Sequence, residues 1–197
     1  IIDRRTNILE DGKGPDFSPP VPYCFVSAGD YITNFVVDVN YLFEKIVPLI
    51  EIKGKYDIEI HIAPYGEILL YKDLIKLIQK IKPLYGVYKI SMQTNGLLLN
   101  KQIIIELEKA GLSQINISLN TLNQEKAQYL SDSKGYQLQH LLDMIDFLME
   151  SKIDIVIAPV WIPKINDQDI EELIRFVQNY QNKVVDAPNK IRIGIQK

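Results

Sequence analysis

Five short segments carry the residues that could do chemistry: Pro64-Tyr65-Gly66-Glu67, Gln93-Thr94-Asn95-Gly96, Ser118-Leu119-Asn120, Pro159-Val160-Trp161-Ile162-Pro163 and Gly194-Ile195-Gln196. Four of them carry carboxylate, hydroxyl or carboxamide groups that hydrogen-bond a ligand, three with a glycine that lets it approach the backbone, and the fourth in order is apolar. Glu67 is suited to an ammonium, and Val160, Trp161 and Ile162 to a planar apolar group. For any single segment a plainer reading competes, because Gly and Asn also serve tight turns and Ser and Asn also cap helices. The chain has one cysteine, Cys24 in Pro22-Tyr23-Cys24-Phe25, which excludes an internal disulfide. A lone thiolate cannot build a zinc or iron–sulfur site by itself.

The segments gain meaning from the elements that must position them. From about residue 36 the chain alternates β-branched runs with stretches of helical period, the pattern of βα units around a parallel sheet. Strands are expected at 57–62, 88–93, 114–119, 153–160 and 190–196, and helices at about 38–50, 71–82, 100–110 and 137–151, with another begun by Asn166 or Asp167. Asn100 caps the third of these helices, and Gly111 ends it. All five candidate segments then fall at strand C-termini. There, in parallel βα barrels, loops from several strands converge on one mouth. Residues 1–35 differ, with Gly12, Gly14, Pro15, Pro19, Pro20 and Pro22 crowded together, and read as a loop-rich segment with at most one short strand. Residues 36–197 form the core of a single domain with that segment. The final strand at the chain end suggests that Lys197 is not the natural end of the fold.

The order and spacing of these segments resemble the radical S-adenosylmethionine (SAM) superfamily, specifically an archaeal-type core domain, over roughly residues 20–196. The resemblance implies an α/β fold, a partial (βα)6 TIM-like barrel, and an enzyme. In such enzymes a [4Fe–4S] cluster cleaves SAM reductively and yields a 5′-deoxyadenosyl radical. Tyr65-Gly66-Glu67-Ile68 is similar to the family's Gly-Gly-Glu-Pro-like element, with Gly66 and Glu67 toward the SAM amino group. Gln93-Thr94-Asn95-Gly96 resembles the Thr-Asn-Gly element beside the SAM pocket. Ser118 and Asn120 stand where the family bonds the ribose and carboxylate of SAM, with Asn in place of the family's Asp. Val160, Trp161 and Ile162 resemble the region lining the adenine.

Cys24 matches the third cysteine of the family's Cys-x-x-x-Cys-x-x-Cys motif, and Tyr23 matches the aromatic that packs on adenine. Phe17 and Val21 occupy the other two cysteine positions and cannot bind iron. Two explanations are open: the two cysteines lie on a segment upstream of Tyr23 that these residues omit, or the protein is a degenerate, non-catalytic barrel acting as a binding module. The first is preferred. The resemblance also implies a reductant such as ferredoxin or flavodoxin. It leaves the substrate unknown, with RNA among the substrates it allows.

Composition narrows the partners further. A net charge of −3 gives no overall pull toward a phosphate backbone. No apolar run approaches the roughly 18 residues that cross a bilayer, and the first residues lack a signal-peptide core, so a cytoplasmic protein with no membrane partner is expected. G-x-x-x-x-G-K and G-x-G-x-x-G patterns are absent, which argues against ATP or NAD as the main ligand. His61 and His140 read as structural, and Glu59 as an ordinary solvent-facing position. A metal-free aldolase or isomerase would need a partnered lysine at a strand end. Neither Lys164 nor Lys197 has one in the sequence pattern.

Overall fold

The computed structural model describes residues 36–54, 56–64, 66–131, 133–183 and 190–196. Tyr23, Cys24, Tyr65 and Lys197, and the N-terminal segment 1–35 as a whole, lie outside the described residues.

Helix α1 (Val39–Ile52) leads into strand β1 (Ile58–Ile62), a short 3-10 turn (Ile68–Leu70) and α2 (Leu74–Ile81). Then come β2 (Val87–Thr94), α3 (Lys101–Ala110), β3 (Gln114–Ile117), α4 (Gln124–Ser131), α5 (Leu138–Met149), β4 (Asp154–Ile157), α6 (Asp167–Lys183) and β5 (Ile191–Ile193). The five strands pair in parallel in the order β1-β2-β3-β4-β5, so each βα unit lays its strand beside the previous one. Every strand C-terminus therefore points the same way.

Strand alternation sends two different side-chain sets to the two sheet faces. Ile60 and Ile62 of β1, Ile90 and Met92 of β2, Ile115 and Ile117 of β3, Ile155 and Ile157 of β4, and Ile191 of β5 join one hydrophobic core with the helices. Full burial of isoleucines such as Ile115, Ile117, Ile155 and Ile157 contributes about 1.5–3 kcal/mol each. Helices supply the matching stripes: Leu74, Leu77, Ile78 and Ile81 of α2 recur at helical spacing, as do Leu138, Leu141, Ile145 and Leu148 of α5. The opposite face carries Glu59, His61, Lys89, Ser91, Gln93, Gln114, Asn116 and Arg192, with Val156 between the last two, and is mostly polar.

Several boundaries differ from the sequence expectation, for local reasons. β3 stops at Ile117 rather than Leu119, because the Leu119 N–H turns back to the Ile117 carbonyl at 3.0 Å. α2 begins at Leu74 rather than Tyr71, because Tyr71 closes the 3-10 turn on Ile68 and its hydroxyl donates to the Val37 carbonyl at 2.9 Å. The last strand is shorter than expected, yet its pairing resumes at a Val160–Gln196 bridge.

Candidate functional site

The mouth at the strand C-termini is organised around Glu67. It begins the 3-10 turn after β1, is only 3% exposed, and its Oε1 accepts from the Leu69 N–H at 3.1 Å. The Thr94 hydroxyl donates to the same oxygen, and the Asn95 N–H donates to Oε2 at 2.8 Å. Burial pushes the Glu67 pKa up, and these three bonds only partly offset it. All three donors are neutral, and no cation is among the groups that set its pKa. Such a carboxylate favours an incoming cation, above all one bringing N–H donors. Gly66 precedes it at φ +131°, a conformation open to glycine and not to the tyrosine or alanine that could otherwise stand there.

The turn after β2 uses its own side chains. Thr94 Oγ1 accepts from the Gly96 N–H at 3.0 Å and Asn95 Oδ1 from the Leu97 N–H at 3.0 Å. Gly96 has φ +76°, and a Cβ there would sit 2.4 Å from the Leu141 Cδ1. The Thr-Asn-Gly sequence is thus a fixed turn whose threonine and asparagine also clamp Glu67.

Two further groupings continue around the mouth. Gln93 Nε2 donates to Ser118 Oγ at 2.8 Å, joining β2 to the end of β3 on the polar face. Asn120 Oδ1 accepts from the Val160 N–H at 2.8 Å, which ties the loop after β3 to the loop after β4. Within that second loop Trp161 is 37% exposed; its N–H donates to the Gln196 carbonyl at 2.8 Å and its indole Nε1 to Asp167 Oδ1 at 2.8 Å. The structure thus brings Gly66, Glu67, Thr94 and Asn95 together, Gln93 with Ser118, and Asn120 with Val160, Trp161 and Ile162. Tyr23 and Cys24 cannot be placed against them.

Residues that the sequence reading passed over also act here. Ser91, wholly buried, donates to Glu59 Oε1 at 2.7 Å and contacts His61 Nδ1 at 2.8 Å, while Lys89 pairs with Glu59 at 3.1 Å. Glu59 is therefore part of a network rather than an ordinary solvent-facing position. Burial works against its charge, but the Ser91 hydroxyl and the Lys89 ammonium outweigh that and lower its pKa. Arg192 donates to Gln114 Oε1 at 2.7 Å, and Gln114 in turn to Asn116 Oδ1 at 2.7 Å. The clue available in the sequence was the polar set alternating with isoleucines along β1, β3 and β5. Asn166, read only as a possible cap, is fully buried and bonds Val160 and Ile162. Behind the mouth, buried Asp169 accepts from Thr121 and from the Lys126 ammonium, anchoring the loop after β3 to α6.

Among the described residues no group of three His, Cys, Asp or Glu side chains could hold a metal ion, and no helix is long and apolar enough to cross a membrane.

Comparison with known proteins gives one consistent picture. The family model of the radical SAM superfamily matches residues 22–177. The uncharacterized protein MJ0103 of Methanocaldococcus jannaschii is 33% identical over 189 residues, covering 93% of this chain and 44% of that protein. GTP 3',8-cyclase of Aquifex aeolicus is 33% identical over 136 residues, covering 69% of this chain and 42% of the cyclase. The chain spans less than half the length of either relative. A solved structure of TYW1 with a lysine-pyruvate adduct bound superposes with a TM-score of 0.53 at 21% identity, over 82% of this chain and 55% of that one, a likeness of fold.

Proposed function

The chain belongs to the radical SAM superfamily, and on that premise we propose that it is an enzyme that binds SAM at the C-terminal ends of its strands and, with a [4Fe–4S] cluster, generates a 5′-deoxyadenosyl radical that acts on a substrate. The observation that carries the reading is the buried Glu67 carboxylate, held by Leu69, Thr94 and Asn95 through neutral donors alone. It fits the SAM ammonium, whose charge would compensate the carboxylate in a site from which water is largely excluded.

The remaining residues take roles in that frame. Gly66 leaves the backbone open beside Glu67, and the Thr94-Asn95 turn fixes the carboxylate's aim. Ser118, held by Gln93, and Asn120 stand toward the ribose and carboxylate. Val160, Trp161 and Ile162 offer an apolar wall to the adenine. The polar sheet face beyond, from His61 and Ser91 to Arg192, would wall the substrate. On that face Glu59 pairs with Lys89, and Arg192 donates to Gln114. A redox partner such as ferredoxin or flavodoxin would deliver the electron, and the working compartment would be the cytoplasm.

What the cluster supplies when bound is the electron that breaks the SAM sulfonium bond. Cys24 alone does not fit it, since Phe17 and Val21 hold the other two ligand positions. The reading therefore requires two thiolates from outside these 197 residues. The second reading, a degenerate barrel that binds a ligand without chemistry, rests on those same two residues.

Anaerobic iron–sulfide reconstitution of the full-length protein, with a Cys24→Ala variant alongside, separates them. The enzyme reading expects about four irons per wild-type chain, largely lost in the variant, and absorbance near ~400 nm. No iron in either protein would sink it and leave the binding module.

A further inference from the structure

The loop after β4 is held by Asn166, just before α6, and by Asp167, its first residue. Asn166 Nδ2 donates to the Val160 carbonyl at 2.8 Å and its Oδ1 accepts from the Ile162 N–H at 2.7 Å, so one fully buried carboxamide brackets Trp161. The same Nδ2 stands 3.5 Å from the Asn120 carbonyl, reaching the loop after β3. Its neighbour Asp167 splits its two oxygens: Oδ1 accepts from the Trp161 indole N–H at 2.8 Å and Oδ2 from the Lys164 N–H at 2.5 Å. These bonds run back into the loop, whereas a helix cap bonds forward into the first turn. Lys164 itself is left-handed, at φ +68°, a conformation that a lysine keeps only where its surroundings impose it.

Resting on the reading of this loop as the adenine wall, we propose that Asn166 and Asp167 are positioning residues for SAM, setting the height and tilt of the Trp161 ring against which the purine lies. Asn166 fixes the backbone on either side of the ring, and Asp167 fixes the ring by its only N–H. A planar ring held at both backbone and edge meets a planar ligand without first being ordered, which removes an entropic cost of binding. Loss of either anchor loosens the hold on the ring.

The test is a SAM titration of the full-length protein, anaerobic and without reductant, read by tryptophan emission. Trp161 is the only tryptophan of these 197 residues, and a Trp161→Phe variant supplies the background. Asp167 is exposed and its Asp167→Ala variant is expected to keep the wild-type unfolding temperature, to show red-shifted emission before SAM is added, and to bind SAM about tenfold more weakly. Asp167→Asn, which retains an acceptor for the indole, should recover most of the affinity. Asn166→Ala should match or exceed the loss; if it does not fold, the Asp167 pair still decides the matter. Wild-type SAM affinity and unshifted emission in Asp167→Ala would overturn the proposal. If SAM binds the wild type without changing Trp161 emission, the adenine-wall reading itself fails and takes the proposal with it.

Discussion

Glu67 Oε2 accepts the Asn95 N–H at 2.8 Å across 28 residues of sequence, so a single carboxylate locks the loop after β1 to the turn after β2. The lock matters because the pairing of β1 with β2 ends at Ile62 and Met92, and Glu67 carries the link on into the loops beyond. The same group is the proposed partner of the SAM ammonium. Ligand binding and loop closure at this mouth therefore share one charge.

Removing that acceptor should be costly. Glu67→Ala leaves the Leu69 and Asn95 N–H groups and the Thr94 hydroxyl without their acceptor, at an expected cost on the order of 2–4 kcal/mol in urea denaturation. The pH dependence has a definite sign. Burial raises the folded-state pKa of Glu67 above its unfolded value, so its contribution is fully present below the unfolded pKa and is lost as pH rises through the folded one. The stability difference between wild type and Glu67→Ala should thus shrink from about pH 4 upward. A difference that grows with pH would refute the assignment.

Gly96 tests the turn itself. Gly96→Ala combines a left-handed backbone, φ +76°, with a Cβ placed 2.4 Å from the Leu141 Cδ1. Leu141 is fully buried and cannot swing into solvent, so a loss of about 2–4 kcal/mol is expected. Gly54 has φ +91° with nothing within 4 Å of its Cβ position, and Gly54→Ala should lose only the conformational part, about 1 kcal/mol. Equal losses at the two sites would show that the Leu141 contact carries no weight.

How far these features could be read in advance depends on the range of the interaction that makes them. α3 was legible at both ends, because Asn100 and Gly111 act within a turn of themselves. The βα order and the five mouth segments were legible from periodicity, since β1, β3 and β5 alternate isoleucine with a polar residue. The network of Glu59, His61, Lys89 and Ser91 was not. Its members sit about thirty residues apart and meet only through the register that sets Glu59 opposite Lys89 and His61 opposite Ser91. Asn166 was hidden for another reason: an Asn before a helix already has a sufficient local explanation, and its real bonds point backward into the loop.

Asn100 offers the plainest check on the local part. Its side chain accepts from the Ile103 N–H at 2.9 Å at the exposed start of α3. Asn100→Ala should cost about 1 kcal/mol, and Asn100→Asp or Asn100→Ser should restore nearly all of it. A loss the serine variant fails to recover would mean that Asn100 acts through something other than the cap.

His61 carries a prediction about protons. Ser91 Oγ has one hydrogen and donates it to Glu59 Oε1 at 2.7 Å, so toward His61 it can only accept. Neutral His61 must then hold its proton on Nδ1 and leave Nε2 unprotonated. His140 provides the contrast, since its Nε2 lies 2.9 Å from the Leu99 carbonyl and must donate. Long-range nitrogen–proton correlation spectra of the neutral rings should show opposite tautomers for the two histidines. Ser91→Ala should release His61 toward the Nε2–H form that free imidazoles prefer, and leave His140 unchanged. An Nε2–H signal for His61 in the wild type would mean that Ser91 donates to the ring instead, and that Glu59 holds only Lys89.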